Sequence, residues 1–518
     1  MLRDEKEAVL NTISEFAKAG KSFSLVGIEK ESLRFDPVKK YISMLDHPIN
    51  FGSALSNNYI TTDFAEAQLE LITPAFLTIE EMLSFLDNIH HYVNNSLNNE
   101  ILWSLSMPPN IDNDHDIKIA EYGDSHIANF KTSYRRGLSN RYGKLMQTIS
   151  GVHFNFSLEN LIFDSFDYDS KNLLRLKSEL YLGIIRNLNR VSWLPIYLFG
   201  ASPYVPKKLA VKTSEHFEVF DDDSYFLPQS TSLRQSEYGY SNAIQKHPRV
   251  SLNSLDEYIS DLYFVTSTHN PDYEFISSRD GDELQQLNSN IFQIEDEFYA
   301  MTRAKSSSTK NIRPLSKLRS GGIDFIEYRV LDINPFTPIG IDKETCEFIK
   351  LLFIFALDKD SPPINDSEFS EILNNDLLVS KTGRNPDCIL HHKGKEVSLK
   401  ELGNMILDEM LISIDGLVTD FKSAEILIEE MRKKIEDPKL TISGILHDEI
   451  INGIDTTLDY GIKIADRHKN FYAQIPKKIN EIWEDLEKES SNSINRQKEL
   501  DNSKSESFSD YLDKYLVI

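Results

Sequence analysis

The sequence predicts an α+β protein in which a sheet-containing region, residues 1–340, carries the chemistry and a largely helical region, residues 341–480, packs on it. Two observations predict this division. Four segments of the first region alternate apolar and polar side chains with the period of two that is typical of strands. From Ile341 onward the apolar residues recur with helical spacing, and the run from Phe348 to Leu357 indicates a buried helix.

The composition is that of a folded protein with a large core. The chain has 518 residues, of which 40% are hydrophobic, and a formal net charge of −25. This acidic balance argues against nucleic acid or an anionic membrane as the main partner, but metal ions would still allow phosphorylated small molecules to bind. Because Cys346 and Cys388 are the only cysteines, we expect two reduced thiols and no disulfide framework.

The chain begins with a predicted helix and strand. Residues 1–20 form an amphipathic pattern that ends at Gly20, which indicates a helix and not a signal peptide. The strand Val26–Phe35 follows. A loop rich in Gly, Ser and Asn then leads to a second strand, in the segment AQLELIT.

A helix with a clear start signal comes next, and a polar tail ends the chain. Thr78 with Glu81 three residues later predicts the helix start, and we expect His90 and His91 to lie on the surface of that helix. Residues 481–518 are charged and polar, which predicts a tail that is either an exposed helix or partly disordered.

The four predicted strands carry unusual side chains on their polar faces. Solvated faces are usually rich in Lys, Thr and Ser, whereas these hold carboxylates, imidazole and amide groups with little Lys. One such strand is ordinary in a sheet with a solvated face, but four together indicate a concave, metal-lined sheet. The alternating polar residues are Glu29 and Glu31 in GIEKESL, Gln68 and Glu70 in AQLELIT, His153 and Asn155 in GVHFNFSL, and Glu327 and Arg329 in FIEYRVLDI. Two strand steps separate Glu29 from Glu31 by about 6.5 Å, so a buried face would need positive charge between them.

The ligand types predict which metal this face would bind. Oxygen ligands select hard cations, so Mg²⁺ or Mn²⁺ is expected. Several carboxylates on neighbouring strands would hold more than one such ion against a nucleotide, because Mg²⁺ completes its shell with water and substrate phosphate. The sequence contains no GxxxxGK[ST], GxGxxG or GxSxG motif, so any ATP would be bound outside a P-loop.

A second group of residues would suit an anionic substrate that bears an amine. Arginine binds carboxylates bidentately, and tyrosine offers both a hydroxyl and an apolar wall. The candidates are Tyr134, Arg135, Arg136 and Arg141 in FKTSYRRGLSNRYG, Arg234 and Tyr240 in TSLRQSEYGYSN, and Tyr299 in IEDEFYA. Taken singly, each of these arginines also fits an ordinary surface ion pair. Arg329 is the exception, because it lies two residues from Glu327 on the same strand face.

Seven blocks follow one another between Gly27 and about Phe336: GIEKESLR, GSALSNNYITTDFAEAQLELITP, FKTSYRRGLSNRYGKLMQTISGVHFNFS, YLFGASP, TSLRQSEYGYSN, SNIFQIEDEFYA and GGIDFIEYRVLDINPF. Together they strongly resemble the glutamate–cysteine ligases of the proteobacterial type. The resemblance implies a glutamine-synthetase-like fold, in which a curved, mostly antiparallel sheet forms a substrate funnel. It also implies ATP-dependent formation of γ-glutamylcysteine through a γ-glutamyl phosphate, the first step of glutathione biosynthesis.

The resemblance further implies roles for individual residues. The metal-site residues would be Glu29, Glu31, Asp63, Glu70, His153 and Glu327. Arg329 would meet the transferred phosphoryl group. The cysteine pocket would be lined by Tyr134, Leu138, Gln147, Arg234, Tyr240 and Tyr299, and Arg135 would serve the glutamate end. The substrates would be ATP, glutamate and cysteine, with more than one Mg²⁺ or Mn²⁺ ion.

Two other functions stay open at this point. One is a related carboxylate–amine ligase that joins glutamate to a different small amine, since pocket size separates neighbouring substrates by only about 1–3 kcal/mol. The other is a non-catalytic metal- or nucleotide-binding relative, which the complete set of ligand residues does not favour. In every case we expect a cytoplasmic monomer with small-molecule partners and with neither nucleic acid nor membrane as a partner.

Overall fold

The computed structural model describes residues 2–111, 114–164, 166–210, 217–239, 249–276, 279–280, 283–307, 312–453, 456–476, 480–503 and 506–516. The strands are β1 (Ser24–Asp36), β2 (Tyr41–Ile42), β3 (Ile60–Thr62), β4 (Gln68–Ile72), β5 (Ile101–Leu102), β6 (Gly151–Leu158), β7 (Tyr204–Pro206), β8 (Glu218–Val219), β9 (Ser224–Phe226), β10 (Arg279–Asp280), β11 (Glu283–Leu284), β12 (Thr302–Lys305), β13 (Phe325–Asp332), β14 (Ile389–His392) and β15 (Lys395–Ser398). The α-helices are α1 (Leu2–Lys18), α2 (Ile79–Ser96), α3 (His126–Tyr142), α4 (Lys144–Gln147), α5 (Ser170–Arg190), α6 (Trp193–Phe199), α7 (Leu255–Ser267), α8 (Pro314–Gly321), α9 (Lys343–Asp358), α10 (Asp366–Thr382), α11 (Leu399–Ile414), α12 (Phe421–Glu436), α13 (Ile442–Gly453), α14 (Thr457–Gln474), α15 (Glu481–Asn502) and α16 (Phe508–Leu516).

The four polar-faced strands are direct neighbours in one eight-stranded sheet. Its strand order is β12-β13-β6-β1-β4-β3, and β2 and β5 pair with β1. Every one of these pairings is antiparallel. The predicted α+β class, the antiparallel sheet and the largely helical C-terminal part are therefore confirmed.

The apolar face of the sheet is packed against helix α9. Phe154, Phe156 and Tyr328 lie on that face with at most 1% of their surface exposed. Phe353 of α9 stacks on Phe156 with ring centroids 4.4 Å apart and meets Tyr328 edge-on at 5.8 Å. Strand alternation then turns the residues between these aromatics toward the opposite face, where the carboxylates lie.

A β-bulge interrupts the pairing of β13 with β6. Tyr328 pairs with Phe154 but Leu331 pairs with Val152, so β13 carries one extra residue there. Asp332 is consequently opposite Gly151 and shares a face with the polar residues of β6, where regular alternation would place Leu331.

The helical region shares its core with the sheet. One hydrophobic cluster contains residues of β1, β6, β13, α5, α9, α11 and α12. The domain boundaries at residues 340 and 480 stay predictions. Cys346 and Cys388 are buried free thiols, as expected. Among the described residues, each helix is too short or too polar to cross a bilayer.

The polar tail is a helix with a buried face, and it changes the surroundings of α2. Trp483 and Leu486 of α15 are each 2% exposed, in contact with the core. The predicted surface position of His90 and His91 was wrong, because both are at most 5% exposed. Tyr472 of α14 stacks on the His91 ring at 5.7 Å, so helices from the end of the chain cover α2.

Candidate active site

The register of the sheet brings the predicted metal ligands onto one face. Glu29 of β1 is opposite His153 of β6, and Glu31 is opposite Glu70 of β4. Glu327 of β13 is opposite Asn155, the next site-facing residue of β6. Five predicted metal-site residues from four strands therefore share one face, as the period-two patterns indicate.

Glu29, His153 and Glu327 form the tightest group on this face. His153 Nδ1 lies 3.4 Å from Glu29 Oε2 and 3.5 Å from Glu327 Oε1. One ligand atom from each residue lies within 4.8 Å of the others, as a shared metal ion requires. Asn155 Nδ2 donates to Glu29 Oε1 at 2.9 Å and fixes that carboxylate.

His153 has the protonation state that a metal ligand needs. Burial, followed by the nearby Arg329, lowers the pKa of His153 to about 4, so the ring is neutral at neutral pH. Its Nε2 atom is buried and makes no hydrogen bond within the described part of the chain. A neutral imidazole nitrogen beside two carboxylates is a donor set that fits a divalent cation.

At Glu31 and Glu70, burial and neighbouring carboxylates outweigh the nearby positive charge, which at Glu31 comes from Arg329 and Arg234. Glu31 Oε2 accepts the Gly151 N–H at 2.8 Å, yet burial and then Asp63 raise the pKa of Glu31 to about 8. Burial and then Glu29 raise the pKa of Glu70 well above its ordinary value. These carboxylates are crowded by like charges, which a bound cation would relieve.

Glu327 is different, because three cations surround it. Lys305 Nζ lies 3.3 Å from Glu327 Oε2, Arg329 Nη1 lies 3.0 Å from Oε1, and Arg303 approaches within 4.0 Å. Although burial raises the pKa of Glu327, Lys305 and Arg329 hold it well below the ordinary range. Arg329 Nη1 also lies 3.4 Å from His153 Nδ1, so this guanidinium borders the carboxylate group directly.

Arg303 and Lys305 were not among the predicted site residues. The strand patterns indicated little Lys on this face, yet β12 pairs with β13 and puts Arg303 opposite Glu327. The available signal was the alternation in TRAK, where buried Thr302 and Ala304 alternate with the two basic residues. Four residues are too few for a period of two to be distinctive.

Most of the predicted cysteine pocket also comes together. Tyr134 and Leu138 of α3 and Tyr299 pack in one hydrophobic cluster. The Tyr299 hydroxyl donates to Gln147 Oε1 at 2.8 Å. Burial and then Tyr299 raise the pKa of Tyr134 well above its ordinary value, which keeps this phenol neutral. Tyr240 lies outside the described residues.

Arg234 is completely buried and contacts the bulge of β13. Its guanidinium donates to the carbonyl of Arg329 at 3.0 Å and to that of Val330 at 3.2 Å, and it lies 3.6 Å from Asp332. A Cβ atom at residue 151 would lie 2.0 Å from Arg234 Nη2, so only glycine leaves room for this arginine. Arg234 thereby connects its own segment to the strand that carries Arg329.

Arg135 contacts the predicted metal site through Asp63. Its Nε donates to the Asp63 carbonyl, and its guanidinium lies 4.8 Å from the centre of the Tyr122 ring. Arg135 was predicted to serve the glutamate end, whereas Tyr122 was not among the predicted site residues. Nothing in the pattern around Tyr122 marks it, since YGDSH reads as an ordinary turn.

Comparison with known proteins gives one consistent result. A family model described as glutamate-cysteine ligase matches residues 14–379. The glutamate–cysteine ligases of Aliivibrio fischeri and Aliivibrio salmonicida are 36% and 37% identical to the chain, and each alignment covers 98% of both proteins.

Solved structures agree with these relatives. The glutamate–cysteine ligase of Francisella tularensis in complex with AMP matches with a TM-score of 0.88 at 31% identity, covering 96% of this chain and 98% of that one. A bifunctional glutathione synthetase from Pasteurella multocida matches with a TM-score of 0.67 at 25% identity, covering 89% of this chain and 53% of that one. The family model, the relatives and the solved structures together show that the chain is a ligase and belongs to the glutamate–cysteine ligase family.

Proposed function

We propose that the carboxylate face of the sheet holds more than one Mg²⁺ or Mn²⁺ ion and that this face is where the chain phosphorylates glutamate. The reaction is the ATP-dependent formation of γ-glutamylcysteine, the first step of glutathione biosynthesis. The observation that carries the proposal is the group of Glu29, His153 and Glu327, which offers three ligand atoms within 4.8 Å beside Arg329.

The proposed ligands are Glu29, Glu31, Asp63, Glu70, His153 and Glu327. The neutral His153 ring and the like-charge crowding at Glu31 and Glu70 support this set. The bound ions would neutralise the phosphate charge of ATP and orient its γ-phosphoryl group. ATP as the nucleotide is supported by the AMP in the Francisella tularensis ligase.

The proposed reaction consists of two successive nucleophilic displacements, each assisted by side chains of the protein. In the first, a γ-carboxylate oxygen of glutamate attacks the γ-phosphorus of ATP, ADP leaves, and an acyl phosphate forms. We assign Arg329 to the moving phosphoryl group, because a fixed guanidinium stabilises the charge that the transition state spreads over the phosphoryl oxygens. Glu327, 3.0 Å from Nη1, holds that guanidinium in place.

In the second displacement the amine of cysteine attacks the acyl carbon and expels phosphate. We assign the cysteine pocket to Tyr134, Leu138, Gln147, Arg234, Tyr240 and Tyr299. The paired hydroxyl of Tyr299 and amide of Gln147 offer a polar edge beside the apolar walls of Tyr134 and Leu138. Enclosure of the acyl phosphate by these side chains would protect it from water.

The experiment combines the purified chain with ATP, Mg²⁺ and glutamate, with and without cysteine, and measures phosphate and γ-glutamylcysteine. Glu29→Gln at saturating Mg²⁺ is expected to lower turnover by about 100-fold or more, since it removes a charge that binds metal. Glu80→Gln changes an exposed carboxylate of α2 and serves as the matched control. Full turnover by Glu29→Gln, with an unchanged unfolding temperature, would show that Glu29 is not a metal ligand.

The proposed partners are small molecules, and the proposed state is a cytoplasmic monomer. The net charge of −25 supports a protein that neither nucleic acid nor an anionic membrane attracts. Light scattering coupled to gel filtration tests the monomer: a mass of about twice 59.6 kDa would contradict it.

A further inference from the structure

Helix α15 is fastened to the loop that precedes β3. The backbone N–H of Ser53 donates to Ser493 Oγ at 3.0 Å, and the Ser56 hydroxyl donates to the Ser493 carbonyl at 2.7 Å. The N–H of Asn58 donates to Glu489 Oε1 at 2.8 Å. A Cβ atom at Gly52 would lie 2.6 Å from the Ser490 carbonyl, so the loop and the helix are in close backbone contact.

The next turns of α15 contact the segment that leads into α3. Gln497 accepts the Ser53 hydroxyl and donates from Nε2 to the Tyr122 carbonyl at 2.9 Å. Asp501 Oδ1 accepts the N–H groups of Asp124 and Ser125 at 3.1 and 2.7 Å. Ser125 is the N-cap of α3, so Asp501 connects the start of α3 to α15. The same helix α3 carries Arg135.

Tyr122 continues this connection toward the site. Its side chain is buried, and its hydroxyl lies 3.0 Å from the Thr62 carbonyl and 3.1 Å from the Asp63 carbonyl. Arg135 donates to the same Asp63 carbonyl and covers the Tyr122 ring at 4.8 Å. One backbone oxygen thus meets both the phenol and the guanidinium, and the ring fixes the direction of the guanidinium by a cation–π contact.

We propose that Tyr122 is a positioning residue that sets the Asp63 backbone and the Arg135 guanidinium, and that Gln497 of α15 sets Tyr122. The inference rests on the role proposed above for Asp63 at the metals and on the role at glutamate that the family resemblance implies for Arg135. Its physical basis is that a carbonyl held by two donors orients the side chain of its own residue, because the backbone there cannot rotate freely. Tyr122 touches neither metal nor substrate in this assignment, so it acts only through its two neighbours.

Two variants test the connection at different points. Tyr122→Phe removes the hydroxyl from the Thr62 and Asp63 carbonyls but keeps the ring under Arg135. Gln497→Glu keeps an oxygen that accepts from Ser53 but cannot donate to the Tyr122 carbonyl. Arg496→Ala is the matched control, because Arg496 neighbours Gln497 and donates to the Ser56 carbonyl at 2.7 Å without contacting Tyr122.

The measurements are the KM values for glutamate and cysteine, the affinity for Mn²⁺ by electron paramagnetic resonance without nucleotide, and the unfolding temperature. Both test variants are expected to raise the glutamate KM and to weaken Mn²⁺ binding by about 3- to 20-fold, the effect of one or two lost hydrogen bonds. The cysteine KM is expected to stay within about twofold, and Arg496→Ala is expected to change neither constant. A purely structural role would instead lower the unfolding temperature and leave the constants of the folded enzyme unchanged, which would overturn the inference.

Asp63→Asn and Arg135→Lys separate this inference from the proposed site. If these two change Mn²⁺ affinity and glutamate KM while Tyr122→Phe and Gln497→Glu do not, only the positioning role is wrong. If Asp63→Asn and Arg135→Lys change neither constant, the assigned roles of Asp63 and Arg135 are wrong and the inference falls with them.

Discussion

Glu31→Gln in the metal-free protein probes the crowding of the carboxylate face most directly. Glu31 is 2% exposed, and its Oε2 accepts the Gly151 N–H at 2.8 Å. Burial and the Asp63 charge raise its pKa from 4.5 to about 8. Glutamine keeps an oxygen for the Gly151 N–H but has no proton to lose, so the substitution removes the titration and preserves the hydrogen bond.

The sign and size of the effect follow from proton linkage. The folded chain keeps the Glu31 proton up to about pH 8, whereas the unfolded chain releases it near its ordinary pKa of 4.5. The stability that Glu31 contributes is therefore complete below about pH 4.5 and is lost as the pH rises to about 8. The loss is about 1.4 kcal/mol per pH unit, or about 3 kcal/mol by pH 7.

The assay is urea unfolding of wild type and Glu31→Gln in EDTA from about pH 5 to about pH 8. The free energy of unfolding of wild type minus that of the variant is expected to fall by about 1.4 kcal/mol per pH unit. Glu80→Gln is the control, because salt bridging with Lys343 keeps the pKa of Glu80 low and the group ionised in both states across this range. Parallel curves for wild type and Glu31→Gln would refute the crowding argument. Adding Mg²⁺ at pH 8 is expected to stabilise wild type more than the variant.

Three further substitutions test individual roles. Arg329→Lys is expected to lower kcat by about 100-fold or more while the cysteine KM changes by less than about twofold, measured as initial rates of phosphate release; an unchanged kcat would remove Arg329 from phosphoryl transfer. Tyr299→Phe removes the hydroxyl that donates to Gln147 and is expected to raise the cysteine KM by about 5-fold. Equal increases in the KM values for glutamate and cysteine would argue against the assigned pocket. Lys305→Met removes a cation 3.3 Å from Glu327, so the pKa of Glu327 is expected to rise and the acidic limb of the pH–rate profile to move to higher pH. Lys305→Arg is the control for that shift, and a limb that stays in place in Lys305→Met would show that Lys305 does not keep Glu327 ionised.

The strand faces could be predicted from the sequence, but the order of the strands could not. Because side chains alternate along a strand, the sequence shows which of them share a face. Glu29 with Glu31, and Glu327 with Arg329, follow this rule. Which strands become neighbours depends on contacts across long stretches of chain, such as the pairing of Glu29 with His153. The bulge after Tyr328 is likewise invisible in FIEYRVLDI, because one extra residue leaves no mark in the apolar pattern.

The features that the sequence did not reveal have one cause in common: parts of the chain that are distant in sequence pack on the residues concerned. His90 and His91 read as surface residues because the helix pattern of α2 contains no sign that Tyr472 will stack on them. Tyr122 and Gln497 are unremarkable in sequence, and only the folded chain shows that they touch. Glu31 and Arg234 could be singled out from the sequence because their chemistry stands out in short blocks, a polar residue on alternate strand positions and an arginine beside a tyrosine, while their roles in the reaction stay predictions.

The contact between Ser53 and Ser493 cannot form until long after Ser53 has been synthesised. The two residues are 440 positions apart, and ribosomes add about 5 to 20 residues per second, so about 20 to 90 seconds pass between their syntheses. Throughout that time the loop before β3 lacks the helix that fastens it. The hydrogen bonds from Ser53, Ser56 and Asn58 to α15 therefore form only after translation has passed Ser493, however early the sheet itself forms.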